Sequence, residues 1–591
     1  MPRCVFLSCL FSVGAVGVIH AMQPDFGPSV MIFDPSMPTS QIQAAVDAIA
    51  NQQVDNEMGT QRYALLFMPG TYGSAASPLD FQVGYYTEVA GLGASPTDVT
   101  IHGHVDVYNR CLTPSNCIAL DNFWRSLSNL TINVEGLSGC RSSGDFWAVS
   151  QAAPMRRVNI TGGNLTLMDY CTAGPQFASG GFISDSHTGF IINGSQQQFL
   201  VRNSEIGGWS NGVWNQVFSG VVGAPPQSFS ATPFNPPPYT TLAASPVTRE
   251  KPFLYVDSYN HYKVFVPALR RDSQGTTWAN GPAAGSSIPI ESFFIAKPTD
   301  SAKAINVALA RGQNLIFTPG VYHLDRTIEV KRPDAVVLGL GFPTLVPDNG
   351  VVAMSVADVE GVKLAGLLFD AGTVNSPVLL QVGTEHAHKS DPANPTSIQD
   401  VFFRIGGASP GKATTSLVVN SDNVLLDDIW AWRADHGNGV GWTLNTADTG
   451  VIVNGDDVTA YGLFVEHYQK YQVIWNGEKG RTIMFQNEMP YDPPNQAAWT
   501  HDGVNGYAAY KVADSVETHE GWGLGSYCFF NVDPTIHAAR GFEVPDAPGV
   551  KLHDVLTVSL GGVGVIDHVV NNTGAAAQGP GTIPVNLVSF P

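Results

Sequence analysis

A chain of 591 residues, 44% apolar and only 14% charged, is too long for one ordinary hydrophobic core and predicts two large domains. Its 61 glycines and 40 prolines point away from helical bundles and towards turn-rich β structure. A formal net charge of −20 excludes a nucleic-acid partner, which needs clustered Lys and Arg, and suits a neutral substrate better than a polyanion, while also serving solubility.

In chain order, Arg3, an apolar run from Val5 to Ile19 and the small residue Ala21 read as a secretory signal peptide over residues 1–21. That run is too short for a bilayer span and no later segment reaches about 18 consecutive apolar residues. The mature protein is therefore expected to be secreted and extracellular, with no membrane contact, and a monomer. A helix-like segment, Gln41 to Ile49, precedes Phe67-Met68-Pro69-Gly70-Thr71-Tyr72 and the turn Gly91-Leu92-Gly93. Cys111, Cys117, Cys140 and Cys171 predict one or two local disulfides of open pairing, with Cys528 left over. No Cys-x-x-Cys pair or closely spaced His accompanies them, so neither a zinc site nor any other metal or cofactor is expected. Asn129, Asn159, Asn164, Asn193 and Asn571 open N-x-S/T sequons, which matter only in a glycosylating host. In Ser195-Gln196-Gln197-Gln198 the period-two rule puts Gln196 and Gln198 on one strand face, where amides can hold a water or simply stack as a ladder between coils.

A Pro-rich stretch, Ala224 to Pro252, reads as a linker. Beyond it the first pattern recurs: a helix-like Ala302 to Ala310, then Phe317-Thr318-Pro319-Gly320-Val321-Tyr322, 250 residues after its counterpart, then Gly339-Leu340-Gly341. This duplication predicts an N-terminal domain over 22–223, a crossover linker over 224–285 and a C-terminal domain over 286–591. Turn-plus-short-strand units follow at Gly361-Val362-Lys363-Leu364, Asn423-Val424-Leu425-Leu426, Asp457-Val458-Thr459-Ala460 and Gly549-Val550-Lys551-Leu552. Repeats that cannot bury their own apolar face require stacking. The expected class is all-β, two tandem right-handed parallel β-helix domains side by side, pectate-lyase-like solenoids; a propeller or jelly roll lacks its blade or hairpin signature here.

On a β-helix, residues one coil apart stack about 4.8 Å apart. Glu466 and Glu488 end comparable apolar runs 22 residues apart, a credible coil. Two acids that close in a partly buried groove cannot both ionise freely, and the raised pKa of one supplies the proton donor that glycoside hydrolysis needs. Trp475, Phe485, Tyr491 and Trp499 crowd the same segment, and Trp475, Tyr491 and Trp499 are candidates to stack on sugar rings. Asp435-His436-Gly437 and Asp456-Asp457 compete as a pectin-type hydrolytic cluster, although turn formation also explains Asp beside Gly. A non-catalytic, glycan-binding or adhesive β-helix is the remaining alternative, and predicts no convergence of these residues on one pocket.

Trp475-Asn476-Gly477-Glu478, Phe485-Gln486-Asn487-Glu488-Met489-Pro490-Tyr491-Asp492-Pro493-Pro494 and Glu520-Gly521-Trp522-Gly523 resemble glycoside hydrolase family 55, as do the duplicated motif and the Pro-rich crossover. The resemblance spans nearly the whole mature chain. It implies side-by-side β-helices with a groove between them, and exo-acting hydrolysis of neutral β-1,3-glucans of the laminarin type from the non-reducing end with inversion. It also implies that Glu488 is the general acid, that Glu466 belongs to the proton relay supporting the base function, and that Gln196, Gln198 and Ser219 position the water.

Overall fold

The computed structural model describes residues 24–387 and 389–591; the predicted leader at 1–21 lies outside the described residues. Each half is a parallel β-helix. In the first, strands such as Thr87–Gly91, Arg125–Val134, Met155–Thr161, Phe182–Ser184, Gln198–Arg202 and Asn215–Ser219 pair in parallel, coil upon coil. The second runs from Phe293–Ala296 through Lys363–Asp370, Ser397–Ile405, Leu425–Arg433, Thr459–Glu466, Gly480–Glu488 and Thr518–Cys528 to Gly549–Ser559, with a second parallel sheet closing its coils. Val362, Val424, Val458 and Val550, the first apolar residue of each predicted repeat, are all fully buried in its core.

The duplicated motif has a structural meaning. Phe67 and Tyr72 meet edge to face with centroids 5.0 Å apart, as do Phe317 and Tyr322 at 5.0 Å. The Tyr72 hydroxyl reaches the Phe33 and Met68 carbonyls at 2.8 Å, and Tyr322 makes the equivalent bonds to Ala296 at 2.9 Å and Thr318 at 2.8 Å. Proline and glycine turn the chain between the two rings, and the tyrosine ties the turn to the preceding coil. The helices Thr39–Gln53 and Ala302–Ala310 turn Ile42, Val46 and Ile49, or Ala302, Ile305 and Leu309, onto the first coils of their domains.

A bulge column aims the site-bearing strands. Asp400, Asp428, Gly462 and Met484 occupy one register and all have left-handed backbones, φ 51°, 62°, 62° and 64°, a conformation that suits Asp and Gly and is uncommon for Met. Each inserts a second consecutive outward residue: Tyr461 and Gly462 both face away from the core before Leu463 turns back in. The alternation that follows sends Leu463 and Val465 inward but Phe464 and Glu466 outward, toward the other domain.

The two domains meet along these outward faces. Tyr86, Phe123, Trp124 and Phe182 of the first pack against Trp430, Trp432, Phe464 and Met484 of the second. Beside this apolar seam lies a buried ionic one. Arg156 binds Asp400 at 2.6 Å and Asp427 at 2.8 Å, and Arg202 binds Glu250 at 2.6 Å and Asp427 at 2.9 Å. Glu250 comes from the Pro-rich stretch, which does more than connect. It adds Tyr239–Leu242 as a further rung of the first helix, and the chain just after it forms an antiparallel sheet from Phe253–Val256, Tyr262–Pro267 and Gly285–Pro289. Cys111 pairs with Cys117 and Cys140 with Cys171, leaving Cys528 as the free, buried cysteine of the described residues.

Candidate active site

At the interdomain seam a cavity of about 200 Å³ is lined from the second domain by Trp432, Asp435, His436, Glu466, His467, Glu488 and Tyr491, and from the first by Asp121, Phe123, Gln151, Ser179 and Gln197. Glu466 and Glu488 are the last residues of adjacent parallel strands. Glu466 is 3% exposed. Its Oε1 accepts from Gln151 Nε2 across the domain boundary at 2.8 Å and its Oε2 from the Trp430 indole at 2.8 Å. Burial, then the neighbouring Glu488 charge, holds its pKa well above the ordinary carboxylate value in spite of those two donors.

Glu488 accepts a hydrogen bond from the Tyr491 hydroxyl, and His467 Nε2 lies 3.6 Å from its Oε2. Burial again dominates and raises its pKa; His467 and Tyr491 oppose the shift, while Asp435 and Asp121 add to it. Two carboxyl groups on neighbouring strands, each pushed towards the protonated form, titrate as one pair.

The first domain contributes a column. Ser184 sits 28 residues after Arg156 and pairs with it, and Arg202 follows 18 later; the same offsets stack Gln151, Ser179 and Gln197 on successive coils. Ser179 Oγ donates to Gln151 Oε1 at 2.6 Å, so a continuous chain of polar atoms runs from Ser179 through Gln151 to Glu466. Gln486, from the second domain, donates to the Ser179 carbonyl at 2.9 Å and to Gln197 Oε1 at 3.3 Å, fixing the amide wall.

A charged arc closes the third side. His436 lies between Asp435 at 2.9 Å and Glu57 of the first domain at 2.6 Å. Burial alone would depress the imidazole, but the two carboxylates outweigh it and raise it to about 10, so it is cationic at neutral pH. Asp435 is likewise opposed by burial, yet His467 and His436 hold it down to about 2. Neither Arg nor Lys lines the cavity among the described residues.

A family model described as the LAM55 pectate lyase-like domain matches residues 293–488 and ends on Glu488. A curated exo-β-1,3-glucanase from Streptomyces sp. (strain SirexAA-E / ActE) is 53% identical over 569 residues, 96% of this chain and 90% of that protein. The chain belongs to glycoside hydrolase family 55. The solved structure of sacteLam55A from Streptomyces sp. SirexAA-E superposes with a TM-score of 0.90 at 53% identity, covering 96% of this chain and 99% of that one. A glutamate-to-alanine variant of sacteLam55A in complex with glucose gives a TM-score of 0.90 at 52% identity, with the same coverage.

Within this family 55 fold, the sequence-predicted residues fall into three groups. Glu466, Glu488 and Tyr491 converge on the cavity, and so does the Asp435-His436 pair. Asp456 and Asp457 do not: Asp456 Oδ1 accepts from the Glu478 amide at 2.7 Å in a solvent-facing turn ladder. Trp475 and Trp499 are corrected as sugar platforms, since both are sealed in the second domain's core at 0% and 1% exposure; Trp475 stacks on Tyr510 and the Trp499 indole donates to the Gln469 carbonyl at 3.0 Å.

The amide group is corrected too. Gln196 turns inward to the Val149 carbonyl at 2.7 Å, and Gln198 clamps the domains by donating to the Gly523 carbonyl at 3.1 Å. The residue that faces the cavity is Gln197, between them. Ser219 is displaced along its strand: register pairs it with Arg202 rather than Gln198, and its buried hydroxyl is shared with Ser245 at 2.8 Å. Gln151 and Ser179 carry no local motif; the offsets of 28 and 18 residues become a signal only once the coil register is known.

Proposed function

We propose that this chain is a secreted exo-β-1,3-glucanase that releases short products from the non-reducing end of laminarin-type glucans with inversion of configuration, Glu488 serving as the general acid. The observation that carries the reading is Glu488 itself, a carboxyl kept towards its protonated form by burial and held by Tyr491 at the wall of a cavity between the domains. A proton passes from Glu488 to the glycosidic oxygen as the bond to the anomeric carbon breaks. A water held against Ser179 and Gln197 attacks that carbon from the opposite face; its proton passes to Ser179 Oγ as Ser179 gives its own to Gln151 Oε1 and Gln151, through its imidic acid form, gives an Nε2 proton to the ionised Glu466, so the one proton of the acid pair moves from Glu488 to Glu466. Glu466 and Glu488 stand on neighbouring strands, a spacing of about 5 Å that alone would suit a retaining pair; inversion needs a base-side gap of about 6.5–9.5 Å with room for water. The amide wall supplies that side, so no second carboxylate has to touch the sugar.

A neutral substrate fits a cavity lined by four acids, Asp121, Asp435, Glu466 and Glu488, with no Arg or Lys to clamp a uronate. The adhesive alternative gives no reason for acids of one domain and amides of the other to converge. The test is incubation with laminarin followed by proton NMR from the first turnovers: glucose or short glucan appearing first as the α-anomer is expected. A β-anomer refutes the inverting assignment, and absence of any product refutes the glucanase reading.

A further inference from the structure

Outside the lining of the catalytic cavity, the first domain contains a second cluster of chemically capable side chains. His104 and Asp106 lie two apart on the strand Val99–Asp106, which puts them on one face, and Asp145 comes from Gly144–Phe146. One ligand atom from each lies within 4.8 Å of the others, with His104 Nδ1 and Asp106 Oδ2 3.8 Å apart. All three are buried, at 0%, 2% and 0% exposure.

Their hydrogen bonding is incomplete in one direction. Asp145 Oδ1 accepts from the Val105 amide at 2.9 Å and Asp106 Oδ1 from the Phe146 amide at 2.7 Å, while the Tyr108 hydroxyl braces Asp106 Oδ2. Asp145 Oδ2 and both ring nitrogens of His104 have no hydrogen-bond partner; the Gly144 carbonyl approaches the ring without completing one. Asp80, in register with His104, also leaves Oδ1 unpartnered. A fully buried imidazole with two idle nitrogens beside two carboxylates is costly unless a ligand is there. Arg141 stacks on Tyr108 at 3.7 Å but is committed to Asp169 at 2.6 Å.

We infer that His104, Asp106 and Asp145 form a binding site for one divalent transition-metal ion in the first β-helix domain. One imidazole and two carboxylates are a donor set suited to zinc or manganese, whereas calcium takes oxygen alone. Two carboxylates cancel the ion's charge, and the backbone amides and Tyr108 orient the carboxylates as outer-shell partners of metal ligands do. None of the three ligands lines the cavity, so the ion braces the fold and takes no part in hydrolysis.

The experiment uses the full chain, stripped with a chelator and dialysed against zinc or manganese at micromolar concentration, with metal content read by elemental mass spectrometry and Tm by scanning calorimetry. Expected are about one equivalent of tightly held metal and a Tm that falls on stripping and recovers with zinc or manganese but not with calcium. His104→Ala and Asp145→Asn should each weaken retention at least about tenfold, no less than the loss of an outer-shell partner. If the variants fail to fold, metal content and X-ray absorption of the wild type decide, with one imidazole in the coordination shell expected. Failure of the wild type to retain metal, equal retention by folded variants, a response to calcium alone, or a shell without imidazole would each overturn the assignment.

Discussion

Replacing Tyr491 by Phe removes one hydroxyl and leaves the ring against His467 and Phe529, 4.4 and 5.3 Å away between centroids. That hydroxyl donates to Glu488 and favours its anion. A hydrogen bond to a charged group contributes about 1.5–3 kcal/mol net, and one pKa unit corresponds to about 1.36 kcal/mol, so the Glu488 pKa should climb by about 1–2 units. A general acid works only while protonated, hence activity is lost as pH rises through its pKa. The alkaline limb of the kcat/KM profile on laminarin, which reports the free enzyme, is therefore expected to move up by about 1–2 units, with a lower plateau because a weaker acid releases its proton less readily. An alkaline limb that stays in place or moves down would refute both the role of the hydroxyl and the protonation state assigned to Glu488.

Three other perturbations probe separate parts of the molecule. Gln151→Leu removes the bridge between Ser179 and Glu466; kcat on laminarin should fall at least about tenfold with KM nearly unchanged, below the full 10²–10⁴-fold range of acid–base catalysis because Glu466 itself remains. Trp499→Ala should cost about 3–5 kcal/mol in urea unfolding, as expected for a buried aromatic, yet leave KM within about twofold wherever the protein is folded, since the ring cannot reach a sugar. Arg202→Leu strips Glu250 of its close partner in the interdomain seam and leaves Asp427 with Arg156 alone, and should destabilise the chain by about 3–5 kcal/mol. Glu250 sits below its usual pKa because Arg202 outweighs its burial. Its contribution is present above the unfolded value of about 4.3 and is lost as pH falls through the folded one, so the gap between variant and wild type should narrow in acid.

The sequence carried what repeats and what is locally encoded. The Phe-x-Pro-Gly-x-Tyr pairs, the valines opening each repeat and the Glu466 to Glu488 spacing all follow from one coil stacking on the next, and they located the duplicated architecture and two glutamates at adjacent strand ends. Parity and register escaped. Naming Gln196 and Gln198 instead of Gln197 is a slip of one residue, and in a strand one residue reverses the face. Ser219 failed because a 21-residue offset matched a coil length while the register joins Gln198 to Asn215. Trp475 and Trp499 failed differently: aromatic crowding beside an acid is equally the signature of a core, and a β-helix interior fills with such rings. Gln151, Ser179 and Asp121 were invisible because a cavity shared by two domains brings together residues more than 300 positions apart, as Gln151 and Glu466 are.

The measurement closest to the centre of the account is the turnover of laminarin by Glu488→Gln. Glutamine keeps the shape of the side chain and can still meet the Tyr491 hydroxyl through its carbonyl, but it has no proton to give to a leaving oxygen. A fall in kcat of at least about 10²-fold is expected, with Tm unchanged within a few degrees and glucan still bound. Near-wild-type turnover by a folded Glu488→Gln protein would contradict it and move the acid to another carboxyl of the cavity.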